Sequence, residues 1–402
     1  MAILNKDTLC KLTGCVQNYP WGGVSYIPEL LCQSNERQVP FAELWFGQHP
    51  ACPSKVVGGT SLGDYLATSP DCFLTPAERE QWQDELPFLC KILDVRDMLS
   101  IQIHPTKTQA MEGWDLEEHA GVAIGAPNRT FRDRNHKPEI MYALSEFYLL
   151  HDFRSDEEIL EVLNHRPPLG EIAEEIRKVG LPTFYRSYMQ LDQKTINSKL
   201  QSFVRYVKRL EVTEDLLNPD YWVKQALKQY CTPEKIDRGI ISFYLMNLVH
   251  LSPGEVMFQD SGIPHAYLRG QNVEIMANSD NVIRGGLTFK HIDAKALSRL
   301  VCFDERTVHY LEPNQVDASR KVFVPPVQEF EFSVIDLVPN REYIFKASGV
   351  SFLFSTCNNF FVSSQHQNIR VTGGEGVLAR AGQKIALKSK EESQIFLVNP
   401  RS

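Results

Sequence analysis

Three features that would place a protein in a membrane or on a polyanion are missing from this sequence. No apolar run reaches the roughly 18 residues that cross a bilayer, and the first residues lack the basic start and apolar run of a secretory signal. The formal net charge of the 402 residues is −8, so there is no general attraction for nucleic acid or anionic lipid. We therefore expect a cytoplasmic protein without nucleic-acid or membrane partners, in which a local cluster of cations meets any anionic ligand.

Paired cysteine motifs are also missing. The nine cysteines are an odd number, scattered from Cys10 to Cys357, and no two of them form a C-x-x-C pair. This usage predicts reduced thiols in a cytosolic protein, mostly with structural roles.

The pattern of apolar residues divides the chain into β-rich and helical regions. The first 150 residues carry short apolar runs separated by Pro and Gly. The pattern changes at "SDEEILEVL", where Ser155 and Glu158 form a capping box before an apolar run, and strand-like alternation returns from Ile240. We predict a mainly β protein with jelly-roll modules. Its expected domains are a β domain at 1–153 and 237–310, an inserted helical domain at 154–236 and a C-terminal β domain at 311–402.

The segment "LSIQIHPTK", residues 99–107, reads as a strand with one apolar and one polar face. Gln102 and His104 share the polar face, so their side chains converge on the same space. Histidine is the commonest ligand for a transition metal, and a Gln amide oxygen is a rarer neutral ligand. An amphipathic strand with a solvated polar face explains the same pattern without a metal.

A second segment, "NHKPEIMYAL", places a carboxylate and an ammonium together. Pro138 favours an extended backbone before it, so Lys137 and Glu139 share one face ahead of an apolar strand. A solvated polar turn leading into a strand is the alternative interpretation.

The third segment, "GIPHAYLRGQNVEIMANSDNVIRGGLT", begins with His265 after a proline and ends with Arg284 before a glycine pair. A Gly/Asn-rich loop between strands is again the plainer interpretation. Taken together, the three segments supply two imidazoles, one carboxylate and one amide oxygen, a donor set that suits zinc with an open position. Lys137 and Arg284 would supply fixed positive charge for an anionic group.

These segments resemble type I phosphomannose isomerases. "LSIQIHP", "NHKPE", "PHAYLRG", "VEIMANSDN" and "RGGLTFKHID" are similar to the family's motifs, and "NYPWGG" and "FAELWFGQHP" resemble its N-terminal segments. The resemblance covers the chain to about residue 150 and again from about 240 to 300. It implies a cupin-type jelly-roll catalytic domain with a helical insertion and a second, cupin-like C-terminal β domain.

The resemblance also implies roles for single residues. It implies one zinc ion per chain, held by Gln102, His104, Glu139 and His265. Arg284 matches the family's active-site arginine, and we expect Lys137 to share catalysis with it. The positions expected to bind substrate are Ser100, His136, Glu274 and Asp280, and His136 matches a residue linked to opening of the sugar ring.

The activity implied is reversible isomerisation of mannose 6-phosphate and fructose 6-phosphate, with proton transfer between C1 and C2 through an enediol or enediolate. We expect these sugar phosphates as partners, a monomeric enzyme and a place in carbohydrate metabolism such as GDP-mannose biosynthesis. The general base stays open between Lys137 and His136, because arginine remains protonated in proteins.

Three alternatives remain at this point. Two His and one carboxylate also serve iron cupin oxygenases, although Gln102 would then fill a position that an oxygenase leaves open. A non-catalytic sugar-phosphate sensor and an isomerase acting on a related aldose phosphate are the other two.

Overall fold

The computed structural model describes residues 9–304, 308–356 and 359–401. The strands are β1 (Leu9–Thr13), β2 (Cys15–Gln17), β3 (Glu43–Phe46), β4 (Lys55–Val56), β5 (Phe88–Val95), β6 (Ile101–Ile103), β7 (Glu139–Ala143), β8 (Phe147–Phe153), β9 (Met246–Leu251), β10 (Val256–Gln259), β11 (His265–Ala277), β12 (Ile283–Gly286), β13 (Asn314–Gln315), β14 (Arg320–Phe323), β15 (Glu331–Leu337), β16 (Tyr343–Lys346), β17 (Ser351–Phe354), β18 (Phe360–Ser363), β19 (Asn368–Val371), β20 (Glu375–Ala379), β21 (Lys384–Ser389) and β22 (Ser393–Asn399). The α-helices are α1 (Tyr26–Leu30), α2 (Leu62–Thr68), α3 (Pro76–Trp82), α4 (Lys107–His119), α5 (Asp156–Asn164), α6 (Gly170–Val179), α7 (Leu181–Met189), α8 (Gln193–Arg209), α9 (Pro219–Tyr230), α10 (Ser242–Leu245) and α11 (Ala294–Leu300).

The long strand β11 organises the first of three antiparallel sheets. Its C-terminal half pairs with β5 on one edge and β7 on the other, while its N-terminal half pairs with β6 and β8. Strand β12 extends this sheet through β6. One strand thereby brings together segments from three distant parts of the sequence.

Helices α5 to α10 lie between β8 and β9 and interrupt this β region. Helix α5 begins at the predicted capping box, in which the Ser155 hydroxyl accepts from Glu158 N and the Glu158 carboxylate accepts from Ser155 N. On α8, Ile196, Leu200 and Phe203 are fully buried at helical spacing, in a core that the inserted helices share with β6 and β11. The prediction of a mainly β protein with a helical insertion is confirmed.

The C-terminal strands form a four-stranded sheet and, together with β1 and β4, an eight-stranded sheet. The eight-stranded sheet packs on the first sheet through aromatic side chains. The Phe46 ring lies 5.3 Å from that of Phe352, and the Tyr142 ring lies 5.3 Å from that of Phe396. The two β regions therefore share one apolar core.

One strand from the N-terminal region belongs to the C-terminal sheet, which the predicted domain bounds did not anticipate. Strand β1 pairs with β20, with Leu9 opposite Ala379, so the start of the described chain completes the C-terminal sheet. The division into domains stays a prediction. Within the described residues, no helix combines the length and hydrophobicity needed to cross a bilayer.

The expectation that all cysteines are reduced is wrong for one pair. Cys15 and Cys52 form a disulfide across 37 residues. Strand β2 pairs with β3, and the chain leaving β3 turns back, so the two Cα atoms lie 5.6 Å apart. This closeness depends on strand pairing, which the spacing of cysteines in the sequence does not reveal.

Candidate active site

Three neighbouring strands place polar side chains in one row. His265 at the start of β11 lies opposite Gln102 of β6, and Gln102 lies opposite Arg284 of β12. Directly opposed residues of antiparallel strands point to the same face. His104 follows β6 two residues after Gln102 and shares that face, while Ile101 and Ile103 are fully buried on the other.

The row meets Glu139, the first residue of β7, in a buried cluster. One ligand atom from each of His104, Glu139 and His265 lies within 4.8 Å of the other two. His104 Nε2 is 3.5 Å from Glu139 Oε1, and His265 Nε2 is 3.4 Å from Glu139 Oε2. All three residues are at most 1% exposed.

Main-chain carbonyls fix the orientation of both imidazoles. His104 Nδ1 lies 2.8 Å from the Asn281 carbonyl, and His265 Nδ1 lies 3.0 Å from the Ile263 carbonyl. A carbonyl only accepts, so each Nδ1 carries a proton and donates it, and each ring turns its Nε2 toward Glu139. This is the arrangement that metal-binding histidines adopt.

The cluster fits a metal ion because several of its buried polar atoms lack hydrogen-bond partners. His104 Nε2, His265 Nε2 and Glu139 Oε2 are buried and have no hydrogen-bond partner among the described residues. Buried polar atoms without partners are costly, and two imidazole nitrogens with a carboxylate oxygen are a donor set that zinc favours. Gln102 lines the cavity beside them.

Burial and neighbouring charges lower the pKa of His104 and of Glu139. Burial, together with the Lys137 ammonium, lowers the pKa of His104 to about 4. Burial acts to raise the pKa of Glu139, but Lys137 and His104 outweigh it and hold that pKa well below its usual range. Lys137 Nζ lies 2.5 Å from Glu139 Oε1.

Glu139 and the neighbouring Gln102 and Lys137 line a cavity of about 570 Å³. Aromatic side chains of Tyr19, Trp21 and Trp45 line another part of it. The charged and polar residues that line it are Glu43, Lys91, Asp97, Ser100, Gln102, Lys137, Glu139, Gln229, Glu274, Ser279, Asp280, Arg284, Thr288 and Lys290.

A buried lysine with two carboxylates lies beside the metal ligands. Lys91 Nζ is 3.3 Å from Glu274 Oε1 and 3.6 Å from Glu43 Oε2. Burial acts to lower the pKa of Lys91, but Glu43 and Glu274 outweigh it and raise that pKa. Burial and Glu139 raise the pKa of Glu274, which also accepts a hydrogen bond from the Tyr267 hydroxyl at 2.9 Å. Two ammonium groups thus face three carboxylates, and a bound metal cation would offset the remaining negative charge.

A cationic region of the same cavity begins at Arg284, opposite Gln102, and we call it the cationic end. Arg284 and Lys290 line it, and the described residues offer neither of them an ion pair. Burial lowers the pKa of both, with Arg132 acting in the same direction on each. Like charges that lack counterions in a half-buried cleft are satisfied by an anionic ligand.

The structure brings together most of the residues predicted from the sequence. Ser100, Glu274 and Asp280 line the same cavity as the ligands, and Asp280 Oδ2 lies 3.2 Å from His49 Nε2. His136 does not line it, because its Nε2 turns outward to the Glu329 carboxylate, 2.6 Å away in the segment before β15.

The sequence reasoning missed Lys91, Glu43 and Lys290. A detectable signal existed for Lys91, because it is the single basic residue in the apolar segment "FLCKILDV". A charged residue inside a buried strand is rare unless it is paired. Lys290 carried no such signal, because its place at the cavity depends on the path of the chain after β12.

Comparison with known proteins gives the family. Residues 9–156 match the model of the phosphomannose isomerase type I catalytic domain. Mannose-6-phosphate isomerase of Escherichia coli (strain K12) is 33% identical over 378 residues, which cover 93% of this chain and 95% of that protein. The Mus musculus mannose-6-phosphate isomerase is 30% identical, with 94% of each chain covered.

A solved structure extends the comparison to the fold. Mannose 6-phosphate isomerase from Salmonella typhimurium, crystallised with fructose 6-phosphate and zinc, matches with a TM-score of 0.85 at 30% identity. The match covers 98% of this chain and all of that one. By sequence, fold and site, this chain belongs to the type I phosphomannose isomerase family.

Proposed function

We propose that this cavity interconverts mannose 6-phosphate and fructose 6-phosphate with the help of one bound zinc ion. The observation that carries the proposal is the pairing, in a single cavity, of unsatisfied metal ligands at one end with cations that lack counterions at the other. The relative from Salmonella typhimurium that binds fructose 6-phosphate and zinc supports the substrate and the metal.

We assign the metal ligands to His104, Glu139, His265 and Gln102. A zinc ion there supplies Lewis-acid stabilisation of negative charge that develops on the sugar oxygens. The chain's own contribution is to present unprotonated Nε2 atoms and a carboxylate in fixed positions.

The cationic end is assigned to the phosphate. Arg284 supplies a planar guanidinium suited to two phosphate oxygens, and Lys290 supplies a mobile point charge. With the phosphate at this end, C1 and C2 of the sugar extend toward Lys137 and the metal ligands. Ser100, between Leu99 and the strand that carries Gln102, lines the path between the two ends.

The proton moves between C1 and C2 within this enclosure. A base removes the C2 proton of mannose 6-phosphate, the C–H electrons form the C1–C2 double bond, and O1 gains a proton. Return of a proton to C1 and loss of the O2 proton give fructose 6-phosphate. We assign the base to Lys137, because its Nζ lies at the ligand cluster. Only the amine form of Lys137, which has given up its ammonium proton, can take the proton from C2.

Glu274 is a second candidate for the base, favoured by a specific observation. Burial and Glu139 raise its pKa, and a raised carboxyl pKa moves a group toward the range useful for general acid–base catalysis. Comparing kcat in Lys137→Met and Glu274→Gln separates the two, since only loss of the base removes proton transfer while mannose 6-phosphate still binds.

The test is a coupled assay of mannose 6-phosphate isomerisation before and after chelation, followed by zinc addition. We expect activity to disappear with chelator and to return with zinc. Full zinc occupancy without turnover would overturn the proposed substrate and favour a related aldose phosphate or a sensor. Oxygen uptake with iron in place of zinc would favour the oxygenase alternative.

Cytoplasmic location, a monomeric state and supply of mannose units for GDP-mannose are further proposals that rest on the sequence reasoning. Light scattering coupled to gel filtration tests the second directly. A monomer gives 45.9 kDa, and twice that mass would contradict it.

A further inference from the structure

A turn with an unfavourable backbone conformation separates Arg284 and Lys290, the two cations of the cationic end. Arg284 lies in β12 before the turn, and Lys290 lies after it. Gly286 has φ +141° and Leu287 has φ +52°. The left-handed conformation is unfavourable for an L-residue such as leucine, so it persists only where the surroundings hold it.

A carboxylate near the end of the chain inserted between β8 and β9 holds this turn. Asp237 is 1% exposed and precedes the short 3₁₀ helix Arg238–Ile241. Its Oδ1 accepts hydrogen bonds from Leu287 N at 2.7 Å and from Gly239 N at 2.7 Å, and its Oδ2 accepts from Thr288 N at 3.3 Å. One buried side chain therefore satisfies two consecutive amides of the turn.

Close backbone contact reinforces the same junction. A Cβ at Gly286 would lie 2.4 Å from Gly239 Cα, and a Cβ at Gly239 would lie 2.9 Å from Gly286 Cα. The absence of side chains at both positions lets the two segments touch. This contact brings Asp237 within reach of the turn, although the helical insertion contributes none of the metal ligands.

We propose that Asp237 is a positioning residue that sets the spacing of Arg284 and Lys290 and thereby the affinity for the phosphate group of the substrate. This inference rests on the phosphate role given to those two cations under the proposed function. It predicts that the helical insertion controls substrate affinity through a residue that touches neither the sugar nor the metal.

The test compares Asp237→Asn, Lys290→Met and the double variant in the zinc-loaded enzyme. An Asn side chain keeps one acceptor oxygen and places an amide donor against the remaining main-chain N–H. For Asp237→Asn we expect the KM for mannose 6-phosphate and the Ki for inorganic phosphate to rise about five- to tenfold, with kcat within about twofold. Mannose without phosphate, used as a poor substrate, should be converted as by the unaltered enzyme.

The double variant shows whether Asp237 acts through Lys290. Coupled residues give non-additive effects, so we expect Asp237→Asn to change the Ki less than about twofold once Lys290 is replaced. If the rise in Ki in the double variant equals the product of the rises in the two single variants, the inference is overturned, because Asp237 would then act independently of Lys290.

The outcomes separate the inference from the proposed function. If Lys290→Met leaves the Ki for inorganic phosphate unchanged, the phosphate role fails and the inference falls with it. If Lys290→Met raises the Ki but Asp237→Asn does not, only the inference is overturned.

Two further variants guard against a general folding defect. Asp220→Asn disrupts an ion pair with Arg166 in the same insertion, at 2.8 Å and away from the turn. It should lower thermal stability without raising the Ki. If Asp237→Asn does not fold, Asp237→Glu replaces it, because glutamate retains the charge but displaces the carboxylate oxygens. The inference then requires that Asp237→Glu raise KM and Ki by the same amount and leave kcat unchanged.

Discussion

The two ends of the cavity are built in different ways. At the metal end, His104, Glu139 and His265 come from a paired sheet, are almost completely buried and have their imidazoles fixed by carbonyls. At the cationic end, Arg284 is half-buried in an edge strand and Lys290 is exposed beyond a left-handed turn.

This difference in construction matches a difference in task. Charge stabilisation during proton transfer requires groups whose positions are set before the reaction. Holding a phosphate requires positive charge and access from solvent. We therefore expect changes at the metal end to lower kcat and changes at the cationic end to raise KM.

The largest expected effect is that of Glu139→Gln, which removes the charged ligand while keeping its shape. We expect zinc content to fall and kcat to drop at least about 10³-fold, because a metal ion contributes several kcal/mol of charge stabilisation. Elemental analysis and the coupled assay measure both. The Kd for inorganic phosphate, measured by calorimetry, should stay within about twofold of the unaltered protein. A loss of phosphate affinity as large as the loss of kcat would contradict the distinction between the two ends.

Replacing Lys91 tests how much the buried charges beside the metal ligands contribute to the free energy of unfolding. Lys91→Met leaves Glu43 and Glu274 buried without their cation, and breaking such a pair costs about 3–5 kcal/mol. Urea unfolding measures the loss. Lys290→Met is the matched control, because exposed residues change stability by less than about 0.5 kcal/mol. Similar losses in the two variants would contradict the contrast in burial.

Removing the disulfide changes the protein outside both the metal end and the cationic end of the cavity. Cys15–Cys52 closes a segment of 37 residues, and removing it should cost about 2–4 kcal/mol by restoring freedom to the unfolded chain. Thermal unfolding of Cys15→Ser/Cys52→Ser should show the loss, while kcat and KM stay unchanged. Cys32→Ser, at an exposed free thiol, is the control. A raised KM in the double variant would mean that the wall near Trp45 shapes substrate binding.

The last expected effect is a pH dependence of the stability of the metal-free protein. Burial and Lys137 lower the pKa of His104 to about 4, and burial with His265 lowers that of His151 to about 3. The unfolded chain binds these protons near pH 6.5, so stability falls as pH drops below that value, by up to about 1.4 kcal/mol per unit and group. Urea unfolding at pH 7.5 and pH 5 measures the slope. His104→Asn should show a smaller slope, and an unchanged slope would argue against a buried neutral imidazole.

The sequence predicted the metal end better than the cationic end. Gln102 and His104 follow strand alternation, and Glu139 and His265 lie in motifs that resemble the family. Their convergence required pairing of β11 with β6 and β7, which no local pattern encodes. Lys290 reaches the cavity through a turn held by Asp237, so it was not visible from spacing.

Long-range pairing accounts for the other differences. Strand β1 joins β20 across most of the chain, and Cys15 meets Cys52 because β2 pairs with β3. His136 is three residues from Glu139 in sequence, yet it faces Glu329 in the C-terminal part. Each of these contacts depends on the assembled sheets rather than on the residues next to them.

The most direct test of the account is a crystal structure of the zinc-loaded protein with fructose 6-phosphate, with zinc located by anomalous scattering. We expect zinc among His104, Glu139, His265 and Gln102, the phosphate against Arg284 and Lys290, and C1 and C2 near Lys137. A phosphate bound at the metal ligands, with the sugar carbons at the cationic end, would contradict the assignment of chemistry and affinity to opposite ends of the cavity.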